Sequence, residues 1–468
     1  MNTKYKYSKN LLLLTLLLAT LVSCKKSFLE ILPKGRVIAT KTTDYDLMLN
    51  NLDLVNMSAN NHVLMGDEVV AIEPTWSLQI FKNKQAFKWE ADLYNIEEDA
   101  AETLTPVKAL YIYNKVIQEV LESTEGTEAT KKSLHAEALA GRAWVNFMMV
   151  NFYGKPYNAA TSGTDLGFPL ILKADINGQD FKRATVQEMY DQIILDLNTA
   201  IPNLLNDGVA HRIRMSKAGA QGILAKVYMF MGRHSEALPL LNESLANVAK
   251  STLGTGLVNY NTAWPGFPTV VNDVENVYVK NMTNIHISAN TRLLYFTPAT
   301  AALFKPSDTR VTRMQATATF PNGLVLSKRI NTTTCNIGVR VPELYLLRAE
   351  VKARLEDING AKADLELLRS NRMPAADVPV PATATTGKMP MLNYVLEERT
   401  RELALQGARW FDMRRLSVDP LFTMPVYQHN VYSAAGVVIE TYTLKPERFV
   451  FRFAPKVRGE NPNLIDNP

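Results

Sequence analysis

Cys24 stands directly after Ser23 and behind Leu11–Val22, an apolar run broken only by threonine and led by Lys4, Lys6 and Lys9. As a helix that run is about 18 Å long, too short to cross roughly 30 Å of hydrocarbon. A charged n-region, a short apolar h-region and a small residue at the cleavage point make an export signal. A cysteine at this position resembles the bacterial lipobox, in which the thiol takes a diacylglycerol and the freed amine an acyl chain. One acyl chain holds a protein to a membrane marginally and two hold it stably. Residues 1–23 are therefore expected to be removed, leaving Cys24 as a lipidated N-terminus. The second cysteine, Cys335, is expected to be a buried small hydrophobe and not a disulfide partner of Cys24.

Other reactive residue types form no recognisable catalytic constellation. The chain has no H-E-x-x-H, G-x-S-x-G or Walker P-loop. Its six histidines are dispersed, none at metal-ligand spacing, so neither a metal nor a cofactor is expected. Asp175-Ile176-Asn177-Gly178 and Asp357-Ile358-Asn359-Gly360 lack the alternating ligands and terminal glutamate of a calcium loop and read as turns. Asp67-Glu68 is the one loop pair of carboxylates to weigh for acid–base work, and adjacent acids more often face solvent.

The elements that must carry these residues are mostly helical. With 47% hydrophobic and 21% charged residues the composition is globular. The net charge of +5 includes the three leader lysines; without them it is about +2, which gives no case for nucleic acid. A mature chain of roughly 440 residues calls for two lobes or one elaborated domain, with regions 24–245 and 246–468 as the expected division. A short helix is expected after Thr43, with Asp46 as its capping partner. From Asn60 to Thr105 the period breaks and aromatics lie among polar residues. Ala136, Leu139, Ala140, Ala143, Phe147 and Val150 then form one stripe of a helix ending near Gly154, and Thr185-Val186-Gln187-Glu188 is a capping box opening the next. Leu224-Ala225, Tyr228, Gly232 and Ala237 fit the spacing of a tetratricopeptide unit. Ala349 and Ala361 keep the same offset, with Lys352 and Glu356 in place of the aromatic and the glycine. The predicted fold class is mainly α: a tetratricopeptide-like helical-repeat scaffold with a loop-rich, irregular lobe between Ser251 and Asn336. Helices return at Pro342–Arg369 and Met389–Leu405, and Val431–Thr443 alternates as a hairpin does.

At Arg399–Leu416 the chain reads RTRELALQGARWFDMRRL. This resembles the R-x-x-E-L-x-x-E-G-x-R-x-x-D-x-x-R signature of the SusD/RagB-like nutrient-uptake lipoproteins, with Arg399, Glu402, Leu403, Gly407, Arg409, Asp412 and Arg415 on matching positions and Gln406 replacing a glutamate. Further blocks are similar in order: Glu137…Arg142-Ala143…Gly154-Lys155-Pro156, Arg183…Thr185…Asp196-Leu197, Asp308-x-Arg310, Arg340…Glu343…Glu350, and Asn461-Pro462…Asn467-Pro468 at the end. Arg399 and Glu402 lie one helical turn apart, the spacing at which opposite charges meet. Arg399, Glu402, Gly407, Arg409, Asp412 and Arg415 are read as a structural charge network pinning the C-terminal helix to the repeat scaffold.

The resemblance implies an outer-membrane, lipid-anchored protein facing the cell exterior. It would capture an oligosaccharide, or in some members a peptide, and act as a lid on a SusC-like TonB-dependent β-barrel transporter. No catalysis is implied. A glycan ligand wants flat aromatic faces with nearby amides, and the aromatics of the irregular segments are the candidates: Trp76, Trp89, Tyr260 and Trp264, with Asn259 and Asn261 as hydrogen-bonding partners. Two other classes compete. A tetratricopeptide-like protein-interaction lipoprotein would bind soluble proteins in a concave groove; a surface glycan-processing enzyme would release new reducing ends.

Overall fold

In the computed structural model the structure describes residues 39–57, 59–175, 181–206, 211–262, 264 and 266–468. Cys24, its leader and residues 176–178 of the Asp175–Gly178 turn lie outside them. Nine helices carry the argument: α1 (Ala101–Glu119), α2 (Glu128–Tyr153), α3 (Val186–Ala200), α4 (Lys217–Phe230), α5 (His234–Val248), α6 (Val341–Arg354), α7 (Ile358–Ser370), α8 (Lys388–Leu403) and α9 (Ala408–Leu416).

Consecutive helices pack as antiparallel pairs, α1 on α2, α2 on α3, α4 on α5 and α6 on α7, and α6 joins the pairs by also touching α5 and α8. Their ends follow the local chemistry. Thr127 caps α2, its hydroxyl accepting from the Thr130 amide at 3.1 Å, and Gly154 closes it. The capping box at α3 is reciprocal: the Glu188 amide donates to the Thr185 hydroxyl at 3.1 Å, and the Thr185 amide donates to the Glu188 carboxylate at 2.7 Å.

The α4–α5 hairpin turns at Gly232 with φ +74, and α6–α7 turns at Glu356 with φ +67. The second repeat keeps the left-handed turn without its glycine, and a 2.9 Å ion pair with Lys388 tethers the Glu356 side chain. Asp357 lies in the turn expected there: its carboxylate accepts from the Gly360 amide at 2.8 Å and caps α7.

One expected cap is displaced. The first described helix runs from Thr42 to Met48, and Asp44, not Asp46, accepts from the Lys41 and Thr40 amides at 2.9 and 3.0 Å. Asp44 lies at the third helical position, the one from which a side chain reaches back to the cap amide.

The loop-rich segments supply a four-stranded sheet made of β1 (Val69–Ile72), β2 (Leu294–Phe296), β3 (Gln428–Tyr432) and β4 (Val438–Thr443), in the order β4-β3-β1-β2. The expected hairpin is β3–β4, with Gln428 opposite Thr443. The long-range pairing was not expected: β1 runs parallel to β3, with Val431 beside Ala71, and antiparallel to β2, with Val70 beside Tyr295. The main hydrophobic core extends from Tyr45 to Leu464 and draws on both sides of the 245/246 boundary. Cys335 is buried in it, and burial pushes its thiol up to about 12. Among the described residues no helix is long and apolar enough to cross a membrane, and no cluster of three or more metal-ligating side chains occurs.

Candidate ligand-binding cleft

The site rests on a lattice of buried ion pairs that fixes how α8 meets α9. Arg399 on α8 donates to Asp412 on α9 through Nε and Nη2, each at 3.1 Å. Arg415 reaches back to α6, donating to Glu350 at 2.6 and 2.7 Å, and also to Asp412 at 2.8 Å. Glu402 turns the other way and accepts from Arg372 at 3.0 Å through each carboxylate oxygen and from Arg310 at 2.9 Å.

Arg399 and Glu402 thus do not pair with each other, although one turn apart. Each faces a different packing partner, and a buried charge takes the guanidinium or carboxylate that tertiary packing brings to it. Burial alone would raise the Glu402 carboxyl, but the Arg372 and Arg310 guanidiniums hold it at about 2. Arg415 and Arg354 do the same for Glu350, also at about 2. Gln406 faces the same lattice, its amide oxygen accepting from Arg340 at 2.8 Å.

Other matched blocks follow the same logic. Arg142 forks onto Asp196 at 2.7 and 2.8 Å, Arg310 joins Asp308 to Glu398 and Glu402, and Arg183 donates to Ile465 O and Asn467 Oδ1 near the C-terminus, both at 3.0 Å.

Between α8 and α9 the chain makes a tight turn with Leu405 at φ +58 and Gly407 at φ +83. A Cβ on Gly407 would lie 2.5 Å from the His62 ring, so glycine is required there twice over, by conformation and by space. Past this turn Arg409 leaves the lattice and pairs with Asp67, its Nη2 donating to Oδ2 at 2.9 Å across a sequence separation of 342. Glu68, 2% exposed, accepts from the Leu405 amide at 3.3 Å. Its Oε2 has no hydrogen-bond partner among the described residues and lies against Gly66, where a Cβ would approach to 2.0 Å. Burial and the neighbouring Asp67 push the Glu68 carboxyl up to about 7 against the opposing pull of Arg409.

Asp67, Glu68 and Arg409 open into a cleft of about 530 Å³ between α8, the segment after β2 and the loop that leads into β3. That volume is in the range of small-molecule sites. Its polar lining adds Tyr427, Asn393 and Glu397, and its apolar side is Phe422, Met424 and Pro425. Burial pushes the Tyr427 phenol up to about 12, so it is a neutral hydroxyl beside the Asp67–Arg409 pair. The arrangement offers donors and acceptors at fixed positions facing an apolar wall. Asp67 and Glu68 were legible as a loop pair and Arg409 as a signature residue, but nothing in the sequence joined them.

The family model described as starch-binding and associating with the outer membrane matches residues 27–229, and the SusD family model matches residues 269–452. The chain belongs to the SusD/RagB-like family. No curated protein sequence matches it. Among solved structures, a SusD superfamily protein from Bacteroides thetaiotaomicron superposes with a TM-score of 0.70 at 17% identity, over 92% of this chain and 100% of that one. A SusD-like carbohydrate binding protein from Bacteroides vulgatus gives 0.69 at 16% identity, over 91% and 97%. Surface glycan-binding protein A from Bacteroides uniformis gives 0.66 at 16%, over 91% and 98%. At these identities the likeness is one of fold.

Within this SusD/RagB-like fold the aromatics expected to meet ligand separate into two groups. Trp76 and Trp89 are each only 3% exposed and belong to the core, which corrects their assignment as ligand contacts. Trp76 packs on Phe87 with ring centroids 4.9 Å apart. Trp89 stacks on His429 at 3.8 Å, and its indole donates to Met65 O at 3.0 Å. The four-stranded sheet has a face to cover, and Trp76 and Trp89, on either side of the short helix Phe81–Lys88, pack against its Tyr442 and His429.

Tyr260 is also buried, beneath the Arg372 guanidinium at 4.0 Å, and donates to Glu275 at 3.2 Å. It completes the ion-pair lattice and does not face a ligand. Asn259 accepts from the Asn261 amide at 2.9 Å, while Asn261 donates to Ser370 O and Met373 O at 2.9 and 3.0 Å. Asn261 ties the loop to the end of α7, and Asn259 closes a local turn beside it. Trp264 alone of the expected aromatics is only half-buried, its ring perpendicular to Tyr260 at 5.1 Å and to Phe267 at 5.5 Å, with the Arg313 guanidinium 5.8 Å from its centroid.

Proposed function

We propose that this SusD/RagB-like chain is an outer-membrane lipoprotein, acylated at Cys24 and facing the cell exterior, that binds an oligosaccharide and does no chemistry on it. It hands the ligand to a SusC-like TonB-dependent β-barrel, over which it sits as a hinged lid. The cleft carries the reading. Sugars present hydroxyls that donate and accept around a C–H face, and the Asp67–Arg409 pair, the Tyr427 hydroxyl and the Phe422–Pro425 wall are complementary to such a ring. Trp264, with Arg313 beside it, lies outside the cleft lining and is a separate candidate stacking surface. The sugar-binding descriptions of the B. vulgatus and B. uniformis relatives support the same ligand class.

The test is calorimetric titration of the purified protein with an oligosaccharide panel, followed by Tyr427→Phe and Phe422→Ala. Each variant is expected to weaken binding about tenfold, equivalent to roughly 1.4 kcal/mol. Loss of the Tyr427 hydroxyl with no change in affinity would sink the cleft. New reducing ends after prolonged incubation would establish the glycan-processing enzyme instead. Capture of soluble periplasmic proteins in place of a large barrel would establish the protein-interaction lipoprotein.

The anchor is tested separately. Cys24→Ala is expected to fold normally and to leave the membrane fraction; a variant still sedimenting with outer membranes would remove lipidation from the account.

A further inference from the structure

We infer that the cleft selects its saccharide by charge, admitting neutral or amine-bearing sugar residues and excluding those with carboxylate or sulfate groups; this rests on the cleft being the glycan site. Among the described residues three carboxyl side chains line it, Asp67, Glu68 and Glu397, against one cation, Arg409. Arg409 is committed to Asp67 through two nitrogens, so that pair contributes no net charge. Glu397 is loosely compensated: the nearest guanidinium nitrogen, Arg401 Nη1, is 3.8 Å away, and Arg401 is itself held by Glu398 at 2.8 Å. Glu68 is buried with Oε2 unpartnered among the described residues.

An acidic sugar entering this space meets carboxylates with no free cation to receive it, and like charges in a partly desolvated cleft repel more strongly than in water. A neutral hydroxyl or an ammonium instead donates to the Asp67 and Glu397 oxygens.

The experiment uses a matched pair, so that ligand identity does not decide the outcome. A glycan array finds a neutral oligosaccharide that the full-length protein binds; its primary alcohols are then oxidised to carboxylates, and both forms are titrated calorimetrically. The oxidised form is expected to bind at least tenfold more weakly. In Glu397→Gln the gap between the two forms is expected to narrow at least threefold.

Equal or tighter binding of the oxidised form overturns the charge selection while leaving the cleft as the glycan site. A gap unchanged in Glu397→Gln overturns the assignment to this lining. An array with no bound glycan at all overturns the site itself, and with it the selection. An array on which only acidic glycans bind overturns the selection alone.

Discussion

Replacing Glu402 by alanine is expected to destabilise the protein by roughly 3–5 kcal/mol, because it strips the partner from guanidiniums that cannot reach water. Arg372 and Arg310 are both buried, and Glu402 takes three of their hydrogen bonds. Chemical denaturation monitored by tryptophan fluorescence measures the loss; a change below about 1 kcal/mol would mean that water or neighbouring acids replace the carboxylate.

The pH dependence has a definite sign. Glu402 and Glu350 titrate at about 2 in the folded protein, below the ordinary value of 4.5. A depressed folded value gives stability that is complete above the unfolded value and is lost as pH falls through the folded one. The wild-type protein is therefore expected to lose stability between about pH 4.5 and pH 2. The Glu402→Ala variant should show a shallower acid limb, since one contributor is gone.

Trp89→Ala is expected to cost a further roughly 3–5 kcal/mol in an otherwise unchanged background, the range for truncating a large buried aromatic. The substitution removes the stack on His429 and leaves the Met65 carbonyl without its indole donor. Thermal unfolding reads this directly. If Trp89 instead faced ligand, alanine would lower glycan affinity and leave the unfolding midpoint where it was. Trp264→Ala provides the contrast, since its ring is only half-buried and its removal opens no comparable cavity.

The contrast between these tryptophans shows where sequence reading stops. Trp76, Trp89 and Trp264 all lie in segments without helical period, among polar neighbours. Two of them turn inward because a sheet assembled from residues 69–72, 294–296 and 428–443 needs its face covered. Apart from the β3–β4 hairpin, those strands do not reveal their neighbours, since a strand three to six residues long carries too few alternations to specify partners hundreds of positions away. The same holds for Arg399 and Glu402. Their spacing on one helix suggested a local pair, and packing gave each a different, better-aligned partner.

What the amino-acid order by itself determined is the local grammar: the capping box at Thr185, the stop at Gly154, the repeat offsets at Ala225 and Ala349, the β3–β4 hairpin, and the signature residues that the family shares. These depend on contacts within a few residues, and such contacts are written directly in the spacing. Only the tertiary structure decided which guanidinium neutralises which carboxylate, which aromatic rings lose their access to solvent, and that Asp67 and Arg409 pair with each other at the wall of a cleft. Those outcomes depend on how separate elements pack, where burial makes an unmatched charge or an uncovered apolar face costly enough to select one partner among many.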